Sequence, residues 1–203
     1  MDTRKLILHT AYELFKEKSY EDVSVTDICN ACRLTKPAFY YHFSSKSDLL
    51  LHYYDNAVDQ ISLQTKEKSS NYWQQLVSCF VQLIEAGTGL GVDITSQLFI
   101  ANLTENKGSF DFNQRFSEIC IELITKAQKV GQIRNQKSPA DLFVAASVMF
   151  TGYAVFWAVK NADFDRVKNV VASLEVVFDV PEDLRTSQND ICTWQGNCVI
   201  ETK

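Results

Sequence analysis

The chain has 203 residues, 46% of them hydrophobic and 22% charged, which excludes a wholly disordered or collagen-like polypeptide and provides for a sizeable core. Only 7 Gly and 3 Pro punctuate it, whereas an all-β sandwich needs a turn signal every ~8–12 residues, so long helices are expected. The formal net charge of −5 excludes a protein that holds nucleic acid by bulk electrostatics alone.

Residues 1–46 carry seven bases against six acids, while the remainder carries 13 bases against 19 acids. This permits a polyanion-facing N-terminus beside an acidic body. The N-terminus has no basic segment followed by an apolar run and a cleavage site, so a cytoplasmic protein with reduced cysteines is expected.

In chain order, Leu6, Ile7, Ala11, Leu14 and Phe15 form a helical stripe over residues 3–18. Ser24-Val25-Thr26-Asp27 reads as a capping box, starting a second helix that runs to about Cys32. Thr35-Lys36-Pro37 offers a fresh N-cap with proline in the first turn, so a third helix starts near Lys36. Ser45-Lys46-Ser47-Asp48 is another capping box, placing Lys46 in the first turn of a long fourth helix whose stripe runs from Leu49 to Ile61. The polar stretch Gln64 to Asn71 marks a boundary between modules.

Further along, Trp73, Leu76, Val77, Phe80, Leu83 and Ile84 predict a buried helix face over 71–86, ended by Gly87, Gly89 and Gly91. A shorter helix is expected over Ile94 to Glu105, and a stripe from Phe112 to Val130 stops at Gly131, a natural position for a left-handed closure. Ser138-Pro139-Ala140-Asp141 starts the least polar helix, with no charge from Leu142 to Val159. That run reaches the lower bound of a membrane span, but Ser147, Thr151, Gly152 and Tyr153 interrupt it, and a helix sandwiched between its own core and a second subunit reads equally well. The expectation is no membrane. Asp163 is expected to cap a last amphipathic helix ending before Pro181. The organisation expected is therefore all-α: a module of short helices over 1–46, which the next observations read as a helix-turn-helix DNA-binding domain, a larger helical domain over 47–180, to which the resemblance described below assigns effector binding and dimerisation, and an unassigned tail over 181–203.

Three short helices, the second and third joined by the tight link Arg33-Leu34, have the layout of a helix-turn-helix. The third would enter the major groove, exposing Thr35, Lys36, Pro37 and Ala38 while Phe39 and Phe43, four apart, anchor it from behind. Lys36 can bond guanine O6/N7, and Ala38 and Pro37 can sit against a thymine methyl. Tyr40, Tyr41 and His42 are left near the outside, where they can donate to phosphate oxygens. Adjacent helical residues cannot both face one core, so at least one of Tyr40 and Tyr41 must be exposed. Lys46 would add a phosphate contact.

The run Thr26-Asp27-Ile28-Cys29-Asn30-Ala31-Cys32-Arg33-Leu34-Thr35-Lys36-Pro37-Ala38-Phe39-Tyr40-Tyr41-His42-Phe43, followed by Ser45-Lys46-Ser47-Asp48-Leu49-Leu50, resembles the DNA-binding signature of TetR-type transcriptional regulators. The resemblance spans residues 5–54. It implies an all-helical homodimeric regulator, usually a repressor, released from a double-stranded, pseudo-palindromic DNA operator by a small molecule held in the C-terminal domain. By position it carries DNA contacts over to Thr26, Thr35, Lys36, Pro37, Tyr41 and His42, and a phosphate contact to Lys46. Two residues depart from the pattern: Arg33 stands where the family usually has glycine in the turn, and Pro37 replaces a residue that is commonly glycine.

Trp73, Phe80, Phe99, Phe112, Phe116, Cys120, Phe150 and Trp157 are each more often core than pocket, but collectively they would line an apolar cavity if the helices splay, and the effector would then be lipophilic. The homodimer would pair through helices near 139–160 and 163–178. Cys29-x2-Cys32 has metal and redox spacing but no second pair, so both thiols are read as core; no metal or other cofactor is expected. No phosphate-binding glycine loop, Gly-x-Ser-x-Gly elbow or His-Glu-x-x-His helix is present, which disfavours an enzyme. The alternative is a helical ligand-binding or thiol-sensing protein that no longer binds DNA.

Overall fold

The computed structural model describes residues 2–52, 71–104 and 111–186, and these form helices joined by short links. The fourth-helix stripe beyond His52, the boundary at Gln64 to Asn71 and the tail cysteines Cys192 and Cys198 lie outside the described residues. Helices α1 (Thr3–Lys18), α2 (Val25–Cys32) and α3 (Lys36–His42) begin and end where the sequence places them. The Ser24 hydroxyl accepts the Asp27 amide at 3.2 Å and the Asp27 carboxylate accepts the Ser24 amide at 2.8 Å, closing the capping box. The Ser24 hydroxyl, which also donates to the Asp27 carboxylate, and after it the Ser24 amide hold the Asp27 carboxyl below its ordinary pKa. Thr35 caps α3 by accepting the Ala38 amide at 3.4 Å, with Pro37 in the first turn.

The turn between α2 and α3 is a Schellman closure. The Leu34 amide donates to the Cys29 carbonyl at 2.8 Å and the Arg33 amide to Asn30 at 3.1 Å, with Arg33 left-handed at φ 55°. Arg33 therefore holds a backbone that an L-residue enters at a cost of roughly 1–2 kcal/mol. Arg33→Gly should raise the melting temperature by roughly 1–4 °C, as a change of about 0.5–1 kcal/mol implies for a chain of this size; thermal unfolding followed by circular dichroism checks this, and an unchanged or lower midpoint would refute it.

Helix α4 (Asp48–Leu51) starts later than the sequence suggests. The Ser45 hydroxyl does accept the Asp48 amide, at 3.1 Å, but the Asp48 carboxylate reaches back to the Ser44 amide at 2.9 Å. Lys46 thus lies in the turn before α4 rather than in its first turn.

The larger body comprises α5 (Tyr72–Thr88), α6 (Gly91–Thr104), α7 (Gln114–Lys129), α8 (Pro139–Val159), α9 (Arg166–Val177) and a short 3-10 turn (Glu182–Leu184). Gly87 does not end α5; it is buried within it, and Gly91, at φ 80°, starts α6 at 101° to α5. Helix α9 is capped by Asp165, whose carboxylate accepts the Lys168 amide at 2.9 Å, and not by Asp163. The cause lies upstream: Asn161 and Ala162 are both left-handed, at φ 50° and 62°, and carry the chain past Asp163 before it turns back into a helix. Gly131 closes α7 as expected, the Gln132 amide donating to the Ala127 carbonyl at 2.9 Å.

Two apolar clusters result. The first joins Ile7, Phe15, Ile28, Phe39, Phe43 and Leu49 from the N-terminal helices, and it takes in Leu90, Ile94 and Leu98 from the start of α6 and its approach. The second is built from α5, α7, α8 and α9 around Phe80, Phe116 and Phe150. Helix α6 packs on α8 and also touches α4, so one element serves both clusters.

Candidate nucleic-acid interface and ligand cleft

Helix α3 divides into two faces because its apolar and polar residues alternate at helical spacing. Phe39 and Phe43 are fully buried with their rings 5.9 Å apart, and Tyr12 locks the site from below by donating from its hydroxyl to the Leu49 carbonyl at 2.6 Å. The opposite face is open. Thr35, Lys36 and Pro37 are exposed at its leading edge, Ala38 and His42 are half-buried, and Thr26 is exposed on α2. Tyr40 is 52% and Tyr41 85% exposed, so both tyrosines face outward where one was required to. The Tyr41 ring meets the His42 imidazole edge-on at 5.0 Å, which pairs two hydrogen-bonding groups on the same helix as Lys36. Lys36 brings a positive charge to this edge, where Pro37 has no amide hydrogen and the Ala38 amide is taken by the Thr35 hydroxyl.

Lys46 sits elsewhere. Its ammonium donates to the Tyr20 carbonyl at 2.7 Å and lies 4.0 Å from the Tyr20 ring centroid. The Tyr20 amide in turn donates to the Asp93 carboxylate of α6 at 2.6 Å. Burial, with the neighbouring Glu21 carboxylate second, pushes the Tyr20 phenol up to about 12, so the ring stays neutral. The sequence reading missed Tyr20 and Asp93. Nothing local marks them, because they are 73 positions apart and meet only through the right-angled turn at Gly91.

Of the candidate ligand residues, Trp73, Phe80, Phe116, Cys120 and Phe150 are packed against one another or their neighbours in the body core. Phe80 meets Phe116 at 5.8 Å and Phe150 at 5.9 Å, and Trp73 meets Phe178 at 5.8 Å. Trp157 is buried beneath the Arg166 guanidinium, 5.3 Å away, which also donates to the Ile84 carbonyl at 2.9 Å. Phe99 is half-buried on α6. Phe112 lines a cleft of about 390 Å³ between the start of α7 and α8. Its other walls are Ser117, Phe143 and Ser147 inside, with Val144, Val148 and Thr151 toward the rim. The hydroxyls at 147 and 151 were visible in the sequence as interruptions of an apolar helix, which is the signal that could have found this site.

Cys29 and Cys32 both face the core of the N-terminal module. Burial, reinforced by the proximity of Cys32, pushes the Cys29 thiol up, and burial pushes Cys120 up further, so neither thiol favours its reactive thiolate. Among the described residues, no group of three His, Cys, Asp or Glu side chains is placed to hold a metal ion.

A helix-turn-helix with an open leading edge is followed by a larger helical body. Residues 7–53 match the family model for bacterial regulatory proteins of the tetR family, so the N-terminal module is similar to that of TetR-type regulators. The HTH-type transcriptional regulator YuxN of Bacillus subtilis is 37% identical over 91 residues, covering 41% of this chain and 31% of that protein. The transposon Tn10 TetC protein of Escherichia coli is 34% identical over 85 residues, covering 41% of this chain and 43% of that protein. The chain thus spans less than half the length of these relatives in the matched region. Solved structures share the fold at greater length: Thermus thermophilus FadR, a TetR family transcriptional repressor in complex with lauroyl-CoA, aligns with TM-score 0.67 and 18% identity over 86% of this chain and 92% of its own. FadR from Bacillus subtilis in complex with stearoyl-CoA aligns with TM-score 0.65 and 16% identity over 86% of this chain and 97% of its own.

Proposed function

We propose that the protein is a ligand-responsive, sequence-specific DNA-binding transcriptional regulator of the cytoplasm, a repressor released from its operator by a small apolar effector. The observation that carries the reading is the two-faced α3: Phe39 and Phe43 anchor it, and among the described residues Lys36, Tyr40 and Tyr41 are left exposed. Exposed aromatics beside a lysine at a helix N-terminus fit phosphate and base-edge contacts.

The regulator acts as a homodimer through α8 and α9. Val144, Val148, Val155 and Val159 form one stripe along α8, with Val148 69% and Val159 72% exposed, and Val176 on α9 is exposed as well. Burying such a valine is worth about 1.5 kcal/mol, which a second copy supplies and water does not. Helix α8 is long and apolar enough to cross a membrane. Its Phe143, Ala146, Phe150 and Trp157 face is instead buried in the body, which favours a helix shared between core and partner. The two α3 helices would then meet successive major grooves about 34–36 Å apart.

Effector occupancy reaches the reading module through α6, which packs on α8 and holds the Tyr20 loop through Asp93. The effector must bind the DNA-incompetent state more tightly, or it shifts nothing. The burial of Cys29, Cys32, Cys79 and Cys120 away from solvent weighs against the thiol-sensing alternative.

Selection of binding sites from random duplexes tests the proposal. A pseudo-palindrome with half-sites about 10 base pairs apart is expected, and recovery of no preferred sequence would reject it. Val148→Glu should convert the dimer to monomer in analytical ultracentrifugation and weaken binding to the full palindrome more than to a half-site; an unchanged sedimentation coefficient would move the interface elsewhere.

A further inference from the structure

We propose that the cleft between α7 and α8 is a small-molecule site selective for uncharged apolar molecules that donate a hydrogen bond. The inference deepens the effector reading given above and rests on it for its regulatory meaning, though not for its chemistry. The cleft's volume, about 390 Å³, falls within the roughly 300–1,000 Å³ typical of ligand sites.

Its polarity is one-sided. Three hydroxyls line it, and each already donates to a carbonyl four residues back in its own helix: Ser117 to Asn113 at 3.2 Å, Ser147 to Phe143 at 2.8 Å and Thr151 to Ser147 at 3.0 Å. What these groups present to the cleft is oxygen lone pairs. An N–H or O–H on the ligand finds an acceptor there without disturbing either helix. A carboxylate or phosphate gains a donor only by breaking one of those hydroxyl–carbonyl bonds, and the described lining residues include no charged side chain to compensate it.

The apolar part of the ligand is specified by the rings. Phe112 and Phe143 meet edge to face with centroids 5.8 Å apart, forming a right-angled corner suited to a flat aromatic body. Val144 and Val148 at the rim also belong to the exposed stripe of α8, so a ligand seated here touches the surface where the second copy is proposed to pack. This chemistry differs from that of the acyl-CoA ligands in the structurally similar FadR complexes, whose phosphates the lining cannot pair.

Isothermal titration calorimetry of the full chain with 1-naphthol, naphthalene and 1-naphthoate tests the assignment, since the three share a ring system and differ in donor and charge. Binding of 1-naphthol is expected, with 1-naphthoate at least about 10-fold weaker. Thr151→Val keeps the shape and removes an acceptor; it should weaken 1-naphthol about 3- to 10-fold and leave naphthalene unchanged. Ser117→Trp fills the cleft and should abolish binding of both, with circular dichroism confirming the fold of each variant. Equal or tighter binding of 1-naphthoate, insensitivity of 1-naphthol to both substitutions, or no 1-naphthol binding up to about 1 mM would overturn the proposal. The same preparation is titrated with the selected duplex. A chain that binds duplex but not 1-naphthol loses the cleft and keeps the regulator, while one that binds 1-naphthol but no duplex keeps the cleft and loses the regulator.

Discussion

Replacing Lys36 by alanine lowers affinity for the selected duplex roughly 10- to 100-fold, with no change in melting temperature or oligomeric state. The magnitude follows from the loss of one charged contact at a base edge or phosphate, worth about 1–3 kcal/mol. Lys36 is exposed and makes no contact on which the fold depends, so stability has no reason to move. Salt dependence separates the two roles. If Lys36 holds a phosphate, the slope of log affinity against log salt falls by about one and all sequences weaken alike; if it reads guanine, the loss is concentrated on the palindrome. Tyr41→Ala should behave like the phosphate case without the change in slope, since the residue is 85% exposed and a hydroxyl contact to phosphate displaces no counterion. Fluorescence anisotropy at two salt concentrations makes the comparison, and full affinity in both variants would remove α3 as the reading element.

Phe39→Ala destabilises the N-terminal module by about 3–5 kcal/mol and abolishes duplex binding. Phe39 is fully buried and its ring meets both Phe43, at 5.9 Å, and Tyr40, at 5.4 Å, so truncation opens a cavity behind the reading face. Helix α3 has only seven residues and no helical stability of its own. Its orientation depends on that ring. The body core around Phe80 and Phe116 does not include Phe39, so the expected melt is two-step: early loss of the N-terminal helices, then unfolding of the body. Hydrogen exchange resolves the two, and uniform loss of protection across both clusters would show that they unfold as one unit. A melting curve superimposable on the parent's would contradict the burial argument itself.

The N-terminal reading face could be read from the chain alone because each of its determinants acts within a few residues. Ser24 and Asp27 close a box three positions wide, Thr35 and Pro37 start α3, and Phe39 and Phe43 share a face by spacing. Even the cost at Arg33 was visible, since a turn that short needs a left-handed residue and the chain supplies no glycine.

Where distance along the chain separated the partners, local patterns were silent or misleading. Asp163 has every property of a cap, yet the two left-handed residues before it shift that role to Asp165. The neighbours of Lys46 are a case in point: its ammonium donates to the Tyr20 carbonyl, and Asp93 holds Tyr20 from the far side of the turn between α5 and α6, a contact no local pattern announces. The body aromatics illustrate the same limit: periodicity puts Phe80, Phe112, Phe116 and Phe150 on buried faces without saying whether the helices close over them or leave room. In the structure Phe80, Phe116 and Phe150 pack against one another between helices, while Phe112 lies just before the start of α7 and opens onto the cleft beside Ser147 and Thr151. Capping and helical spacing are short-range forces written in adjacent residues, whereas the shape of a cavity and the partner of a charge depend on how whole helices cross.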